Sequence, residues 1–143
     1  MVVALNAYYD FEHGKTPPRI TSEEQLAAML DEVWRTRKAA LVELLPAEDP
    51  AAATLDVGFD GDRGVGVLWY SGPDHASCHS YNPDHNPDAS GSTSEPVLYY
   101  YMTSDTEYPV SAEIPADSVI AAALEYMRTG GRRPANIAWQ EAD

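Results

Sequence analysis

The clearest hydrophobic pattern in the chain lies in residues 54–72, TLDVGFDGDRGVGVLWYSG. Apolar side chains alternate with polar or small ones on both sides of Asp60-Gly61-Asp62, which predicts two antiparallel strands joined by a turn. The alternating apolar positions are Leu55, Val57 and Phe59 in the first strand and Val65, Val67 and Trp69 in the second. One face of this hairpin is therefore expected to be apolar and to need a covering layer.

A helical pattern precedes the hairpin. Thr21 and Glu24 have the three-residue spacing of a capping box, which predicts a helix N-terminus here. An apolar stripe with i, i+3, i+4, i+7, i+8 spacing follows, and the basic residues after it suit the C-terminal end of the helix dipole. The stripe is Leu26, Met29, Leu30, Val33 and Trp34, and the basic residues are Arg35, Arg37 and Lys38. We expect the stripe to lie in the hydrophobic core.

A second helix is predicted near the C-terminus. Pro115 suits a first helical position and Asp117 suits the first turn, while Gly130-Gly131 is a typical helix end. Its predicted apolar stripe is Ile120, Ala123, Leu124 and Met127, and Arg128 lies in the last turn.

Further segments have the β-branched and aromatic content of strands. They are residues 1–9, 39–45, 97–101, 108–114 and 135–139, with a TSDTE turn between the third and the fourth. These elements predict a single α+β domain over 1–143, in which two amphipathic helices pack on one face of an antiparallel-rich sheet.

Residues 72–96, GPDHASCHSYNPDHNPDASGSTSEP, have almost no aliphatic side chains and are rich in Pro, Gly and Ser. This composition predicts a long polar loop within the domain. Loops of this length are usually functional or disordered, and composition alone leaves both open.

The net charge of −14, from 9 basic and 23 acidic residues, is unevenly distributed. Between residues 48 and 117, Arg63 is the single basic residue against 13 Asp and Glu. Such a field repels nucleic acid and anionic membranes and attracts basic partners. The alternative is that acidity only keeps the protein dispersed in solution.

The chain has one cysteine, Cys78, so an internal disulfide is excluded. We find no export-signal pattern and no stretch near the ~20 apolar residues of a membrane span, and we therefore expect a cytoplasmic protein.

The predicted loop also contains the candidate metal ligands Asp74, His75, Cys78, His79, Asp84, His85 and Asp88. Zinc accepts these residue types, and His75 and His79 have H-x3-H spacing. That spacing brings ligands together on a helix, whereas three prolines keep this segment irregular, so we expect no metal. The sequence also has no G-x-S-x-G or G-x-x-x-x-G-K-[ST] motif, so we expect no cofactor and no catalytic residue. The alternative is a small metal- or thiol-dependent enzyme that uses His75, Cys78, His79 and His85.

Three consecutive tyrosines, Tyr99, Tyr100 and Tyr101, cannot all point inward from one strand, because neighbours alternate faces. At least one should lie on an outer face. Exposed tyrosines among carboxylates are typical of protein-binding surfaces, although a half-buried sheet aromatic with its hydroxyl in water is the alternative.

Three segments together resemble the Imm1 family of bacterial immunity proteins. They are the capped helix TSEEQLAAMLDEV, the hairpin GDRGVGVLWYSG and the C-terminal block EIPADSVIAAALEYMRTGGRRPANIAWQ. The block is the most specific part, with Tyr126 near the helix end and then Thr129, Gly130, Gly131, Arg133, Pro134 and Trp139. The resemblance covers most of the chain except residues 72–96.

This resemblance implies a non-enzymatic α+β protein encoded beside a polymorphic toxin, often one with a nucleic-acid deaminase domain. It would bind that toxin and block its active site. An acidic surface complements the basic cleft that a nucleic-acid-acting toxin needs. From charge and loop length we predict toxin contacts at Tyr81, Asp84, Asp88, Glu95, Tyr99, Tyr101, Asp105 and Glu107. Gly130, Arg133, Pro134 and Trp139 match the family pattern.

The expected partner is thus a cognate protein toxin with a basic surface, and not nucleic acid or a membrane. We expect a monomer in the free state, because an acidic surface opposes self-association. A third possibility is an orphan family member that acts as a regulatory or adaptor protein, which gene neighbourhood would distinguish.

Overall fold

The computed structural model describes residues 4–9, 18–49, 53–73, 75–83, 96–101 and 104–141. Within these residues two helices pack on one face of a large sheet, which confirms the predicted α+β fold. The helices are α1 (Glu23–Thr36) and α2 (Ala116–Arg128). Neither helix of this described part is long and apolar enough to cross a membrane.

The strands are β1 (Leu5–Tyr8), β2 (Arg19–Ile20), β3 (Ala40–Pro46), β4 (Thr54–Asp60), β5 (Val65–Ser71), β6 (Cys78–Tyr81), β7 (Val97–Tyr101), β8 (Ser104–Tyr108), β9 (Ile114–Pro115) and β10 (Ala138–Glu141). The main order across the sheet is β10-β6-β5-β4-β3-β1-β2, and β9 pairs with β5. All pairs are antiparallel except a short parallel contact between β3 and β7.

The β4–β5 hairpin forms as predicted, but both of its faces are covered. Leu68 lies opposite Val57, and Val67 lies opposite Gly58. Directly opposed residues share a face, so the helices cover Leu55, Val57 and Phe59 together with Leu68 and Tyr70. The expectation that Val65, Val67 and Trp69 lie on the same face as the first strand's apolar residues is wrong, because the pairing register places them on the opposite face.

The first helix has its predicted buried stripe, and Trp34 stacks on Phe59 with ring centroids 5.8 Å apart. Its N-cap is Ser22, one residue after the predicted position. The Ser22 side chain accepts a hydrogen bond from the Gln25 backbone N–H, and the Gln25 side chain accepts one from the Thr21 N–H. The helix ends at Thr36, so only Arg35 of the three basic residues lies in its last turn.

The second helix begins at Ala116, after Pro115, and Gly130 and Gly131 follow its end with positive φ. Its buried face matches the predicted stripe only at Ala123 and Met127. Val119, Ala122, Ala123, Tyr126 and Met127 are buried, whereas Ile120 and Leu124 are only partly buried. Apolar residues surround much of this helix, so periodicity did not define its inner face. The Tyr126 hydroxyl helps to define the inner face, because this hydroxyl lies 3.2 Å from the Leu44 carbonyl oxygen and 3.3 Å from that of Ala53.

A second, smaller core lies on the sheet face away from the helices, which we call the second face. It contains Leu41, Val67, Tyr99, Tyr108 and Ala112. The β7–β8 hairpin supplies the two tyrosines, whose ring centroids are 5.8 Å apart. Gly58 gives this hairpin room, since a Cβ atom there would lie 2.9 Å from Leu41, Val67 and Tyr99 side-chain atoms.

Three expectations about the remaining segments need correction. The predicted polar loop 72–96 contains strand β6, which pairs with β5 and β10. The partner of β7 is 104–108, not 108–114, because Pro109 has no N–H to continue the ladder and a 3-10 helix (Val110–Ala112) follows. The last strand begins at Ala138, three residues later than predicted.

Candidate functional site

A row of polar and aromatic side chains crosses the second face. Tyr8 pairs with Glu43, Glu43 with Asp56, Asp56 with Trp69, and Trp69 with His79. Directly opposed residues of an antiparallel sheet share a face and have Cβ atoms only about 5 Å apart. Two carboxylates and two aromatic side chains are therefore neighbours at the middle of the sheet.

Beside this row, strand β8 forms one side of a groove of about 370 Å³. We call it the acidic groove, and it is lined by Asp56, Trp69, Ser77, His79, Thr106, Glu107 and Tyr108. The His79 and Tyr108 rings contact each other at one end, with centroids 5.0 Å apart. Neither Lys nor Arg is among the residues that line it.

Asp56 is in an unusual environment for a carboxylate. Its Oδ1 atom is buried and accepts no hydrogen bond from the part of the chain that the structure describes. Burial, and secondarily the charge of Glu43, raise the pKa of Asp56 to about 7. Burial also raises the pKa of Glu43. Burial and these two carboxylates raise the pKa of Tyr101 to about 12.

The tyrosines of β7 point to different environments, as their alternation predicts. Tyr99 is fully buried, Tyr100 is 42% exposed and Tyr101 is half-buried. The Tyr99 hydroxyl donates a 2.7 Å hydrogen bond to Glu113 Oε2, and burial is the main cause that raises its pKa. Tyr99 thus belongs to the second core, and the exposed ring of this strand is that of Tyr100.

The predicted contact residues do not form one continuous described surface. Tyr81 is 37% exposed at the end of β6, and Asp105 and Glu107 are exposed on β8. Tyr101 lies near the acidic pair, whereas Tyr99 is inaccessible. Asp84, Asp88 and Glu95 lie outside the described residues.

The histidines and cysteine of the enzyme alternative do not converge where they are described. Cys78 is buried on the helix side of β6, whereas the ring of His79 contacts Tyr108 on the second face. No group of three or more His, Cys, Asp or Glu within the described residues could hold a metal ion. Asp74, Asp84, His85 and Asp88 lie outside them.

The C-terminal family-pattern residues connect α2 to the sheet. Gly131 accepts a hydrogen bond at its carbonyl oxygen from the Tyr70 hydroxyl, at 2.9 Å. The Trp139 indole donates to the Pro134 carbonyl oxygen at 2.7 Å, and the Arg133 guanidinium lies 5.6 Å from the centroid of the Trp139 ring. Gly130 has φ of 79°, which a side chain would disfavour. These contacts give the block a structural role.

No sequence motif distinguishes Glu43, Asp56 and Trp69, the central residues of this row, as candidate functional residues. Glu43 and Asp56 are polar positions within the predicted strands, which normally indicates a solvated face. The available signal was that the two acidic positions and Trp69 all lie in the central strands of the sheet, where a second covering layer could enclose them.

A search among curated proteins finds no significant match. A family model described as immunity protein Imm1 matches residues 14–141 of the 143-residue chain. The matched range includes every element from β2 to β10, and with them the second face apart from the contribution of β1. Since the match covers nearly the whole chain, this protein belongs to the Imm1 family of immunity proteins.

Proposed function

We propose that this immunity protein neutralises a toxin that acts on nucleic acid, of the deaminase type, by covering the toxin's basic cleft with the acidic surface that β6 and the β7–β8 hairpin form over the second face. The protein acts in the cytoplasm of the producing cell, is a monomer when free and performs no chemistry. Binding alone is sufficient, because a nucleic-acid substrate and an acidic protein surface compete for the same cationic residues.

One observation supports the proposal: the stretch of sequence that supplies β5 to β9 and most of α2 has no basic side chain to offset its carboxylates. The sequence has no Lys or Arg between Arg63 and Arg128. Arg63 itself is occupied, since its Nε donates to Asp60 and its two terminal nitrogens donate to Glu113. The carboxylates of β8 and the acidic groove are therefore available to a cationic partner.

Exposed tyrosines lie beside these carboxylates. Tyr100 on β7 and Tyr81 on β6 supply aromatic area of the kind enriched in protein interfaces. We propose contacts at Tyr81, Tyr100, Tyr101, Asp105 and Glu107. Asp84, Asp88 and Glu95 remain predicted contacts, and the buried Tyr99 supports the surface from below.

The partner can be identified by purifying the tagged protein from the producing strain at low and then high salt. We expect a basic toxin domain that survives the high-salt step. Expression of that domain in a test host should stop growth and deaminate DNA or RNA bases, and co-expression of this protein should prevent both. A toxin that is not basic, or one that cleaves nucleic acid without deaminating it, would contradict the finer parts of the proposal.

The surface is tested by charge reversal with a matched control. Asp105→Lys with Glu107→Lys alters β8, and Glu24→Lys with Glu32→Lys makes the same charge change on the exposed side of α1. We expect the β8 pair to weaken toxin binding about a hundredfold, or about 2.7 kcal/mol, and the α1 pair to change it little. Equal effects of the two pairs would show that only net charge matters. Triple reversal of Asp84, Asp88 and Glu95 tests the remaining predicted contacts in the same assay.

A further inference from the structure

Asp56 is the least satisfied polar group of the described part of the chain. Its Oδ1 atom is buried without a hydrogen-bond partner there. Native proteins satisfy nearly all such atoms, so an unpartnered carboxylate oxygen can accept a hydrogen bond from a donor on a partner. The second carboxylate of the pair, Glu43, lies directly opposite on β3 and adds repulsion. Both features disfavour the free state and would be relieved by one cation.

The groove also determines which cation fits. Asp56 lines it together with Trp69 and His79 on one side and Thr106 and Glu107 on the other. An aromatic ring beside a buried carboxylate suits a flat, weakly hydrated cation, because the ring face attracts charge while the carboxylate accepts hydrogen bonds. Guanidinium combines these properties and has five donors, whereas an ammonium group is more strongly hydrated.

We propose that the acidic groove binds an arginine side chain of the partner toxin, with Asp56 accepting hydrogen bonds from the guanidinium and Trp69 lying against its plane. This inference rests on the proposed function and specifies one of its contacts. Glu43 contributes charge from the neighbouring strand, and β8 forms the other side of the groove. The contact inserts one toxin residue between the sheet and the β7–β8 hairpin, which makes it a central anchor and not a contact at the rim.

Protonation gives the contact a pH dependence. Since the pKa of Asp56 is raised to about 7 in the free protein, arginine binding below that pH must displace a proton. Binding should weaken by up to about tenfold for each pH unit below 7, until other groups titrate. The titratable groups that face Asp56 from the surrounding strands are Tyr8, Glu43, His79, Tyr101 and Tyr108, and Glu107 also lines the groove.

The groove can be tested without the toxin by NMR titration of the full chain with N-acetyl-arginine amide. We expect saturable shifts of the Trp69 indole signal. The Asp56→Asn variant should bind the arginine compound at least about tenfold more weakly, whereas the control variant Glu24→Gln on α1 should bind it with unchanged affinity. N-acetyl-citrulline amide has the same shape without charge and should not bind. Equal binding by Asp56→Asn, equal binding of citrulline, or tighter binding of Ca²⁺ than of arginine would each overturn the inference.

The same variants, applied to the identified toxin, separate this inference from the proposed function. If Asp56→Asn loses affinity and one toxin Arg→Ala variant shows no further loss with it, the arginine contact is supported. If Asp56→Asn binds the toxin as well as the original protein does, the contact is wrong while the immunity role stands. If the original protein binds arginine amide but does not bind or neutralise the toxin, the proposed function fails instead.

Discussion

Arg63 and Glu113 lie 50 residues apart in the chain and form a bidentate ion pair, with N–O distances of 2.8 and 2.5 Å. Glu113 is almost fully enclosed, and its Oε2 also accepts the hydrogen bond from the Tyr99 hydroxyl. Arg63 follows β4 and Glu113 precedes β9, so this pair fixes the β4–β5 turn against the segment that leads into α2. It also fixes Tyr99 beneath the proposed interface.

Glu113→Ala should therefore destabilise the protein by about 2–3 kcal/mol, because it leaves Arg63 and the Tyr99 hydroxyl without their shared acceptor. The loss of stability is limited because the Arg63 side chain is half-exposed and water can solvate its charge. Glu113→Gln keeps one acceptor oxygen and should lose less. Urea unfolding measures both, and Glu23→Ala, which breaks the more exposed ion pair with Arg128, is the control and should show the smallest change. A Glu113→Ala loss no greater than that of the control would contradict the assigned role.

Asp56 should make the free protein less stable as the pH rises. Its pKa is 3.8 in the ordinary state and about 7 when folded, so between these values the folded protein holds a proton that the unfolded chain releases. The free energy of unfolding should therefore be highest below pH 4 and should fall as the pH rises to 7, by about 4 kcal/mol at most.

Asp56→Asn should remove this loss, so that the variant gains stability over the original protein between pH 4 and pH 8 while losing partner affinity. Urea unfolding at both pH values measures the difference, and Asp49→Asn at an exposed site serves as the control. An Asp56→Asn protein whose stability relative to the original is the same at both pH values would argue against a raised pKa.

Gly58 should not tolerate a methyl group. Gly58→Ala would place a Cβ atom 2.9 Å from Val67 and Tyr99 side-chain atoms, and such overpacking costs about 1–3 kcal/mol. The variant should also loosen the β7–β8 hairpin and so weaken toxin binding. Val67→Ala removes one of the clashing atoms, so the double variant should lose less stability than the sum of the two single variants. Strict additivity would show that the clash is relieved elsewhere.

Tyr126→Phe should lower the free energy of unfolding by about 1–2 kcal/mol, because the buried hydroxyl lies within hydrogen-bonding distance of the Leu44 and Ala53 carbonyl oxygens. Tyr100→Phe, at an exposed ring, is the matched control and should leave the thermal midpoint unchanged. The control variant should instead affect toxin binding if Tyr100 contacts the partner. A thermal midpoint for Tyr126→Phe equal to that of the original protein would show that this hydroxyl does not fix the face of α2.

The sequence by itself determined the elements that depend on local physics. Alternation and a turn predicted the β4–β5 hairpin, a 3.6-residue period predicted α1 and its buried stripe, and Gly130-Gly131 marked the end of α2. Each of these signals acts between residues close in the chain, where backbone geometry and capping decide the outcome.

Only the tertiary structure decided which groups face one another. Trp69 is apolar and was predicted to share a face with Leu55, Val57 and Phe59. The pairing register instead places it on the other face, directly opposite Asp56. Asp56 is a polar residue of an ordinary strand until the β7–β8 hairpin, 40 or more positions later, folds beside it and shields most of its carboxylate from water. Burial and a charged neighbour determine a carboxylate's pKa, and both come from segments distant in sequence. The local sequence pattern therefore predicted the main helices and strands of this protein, whereas long-range packing formed its acidic groove.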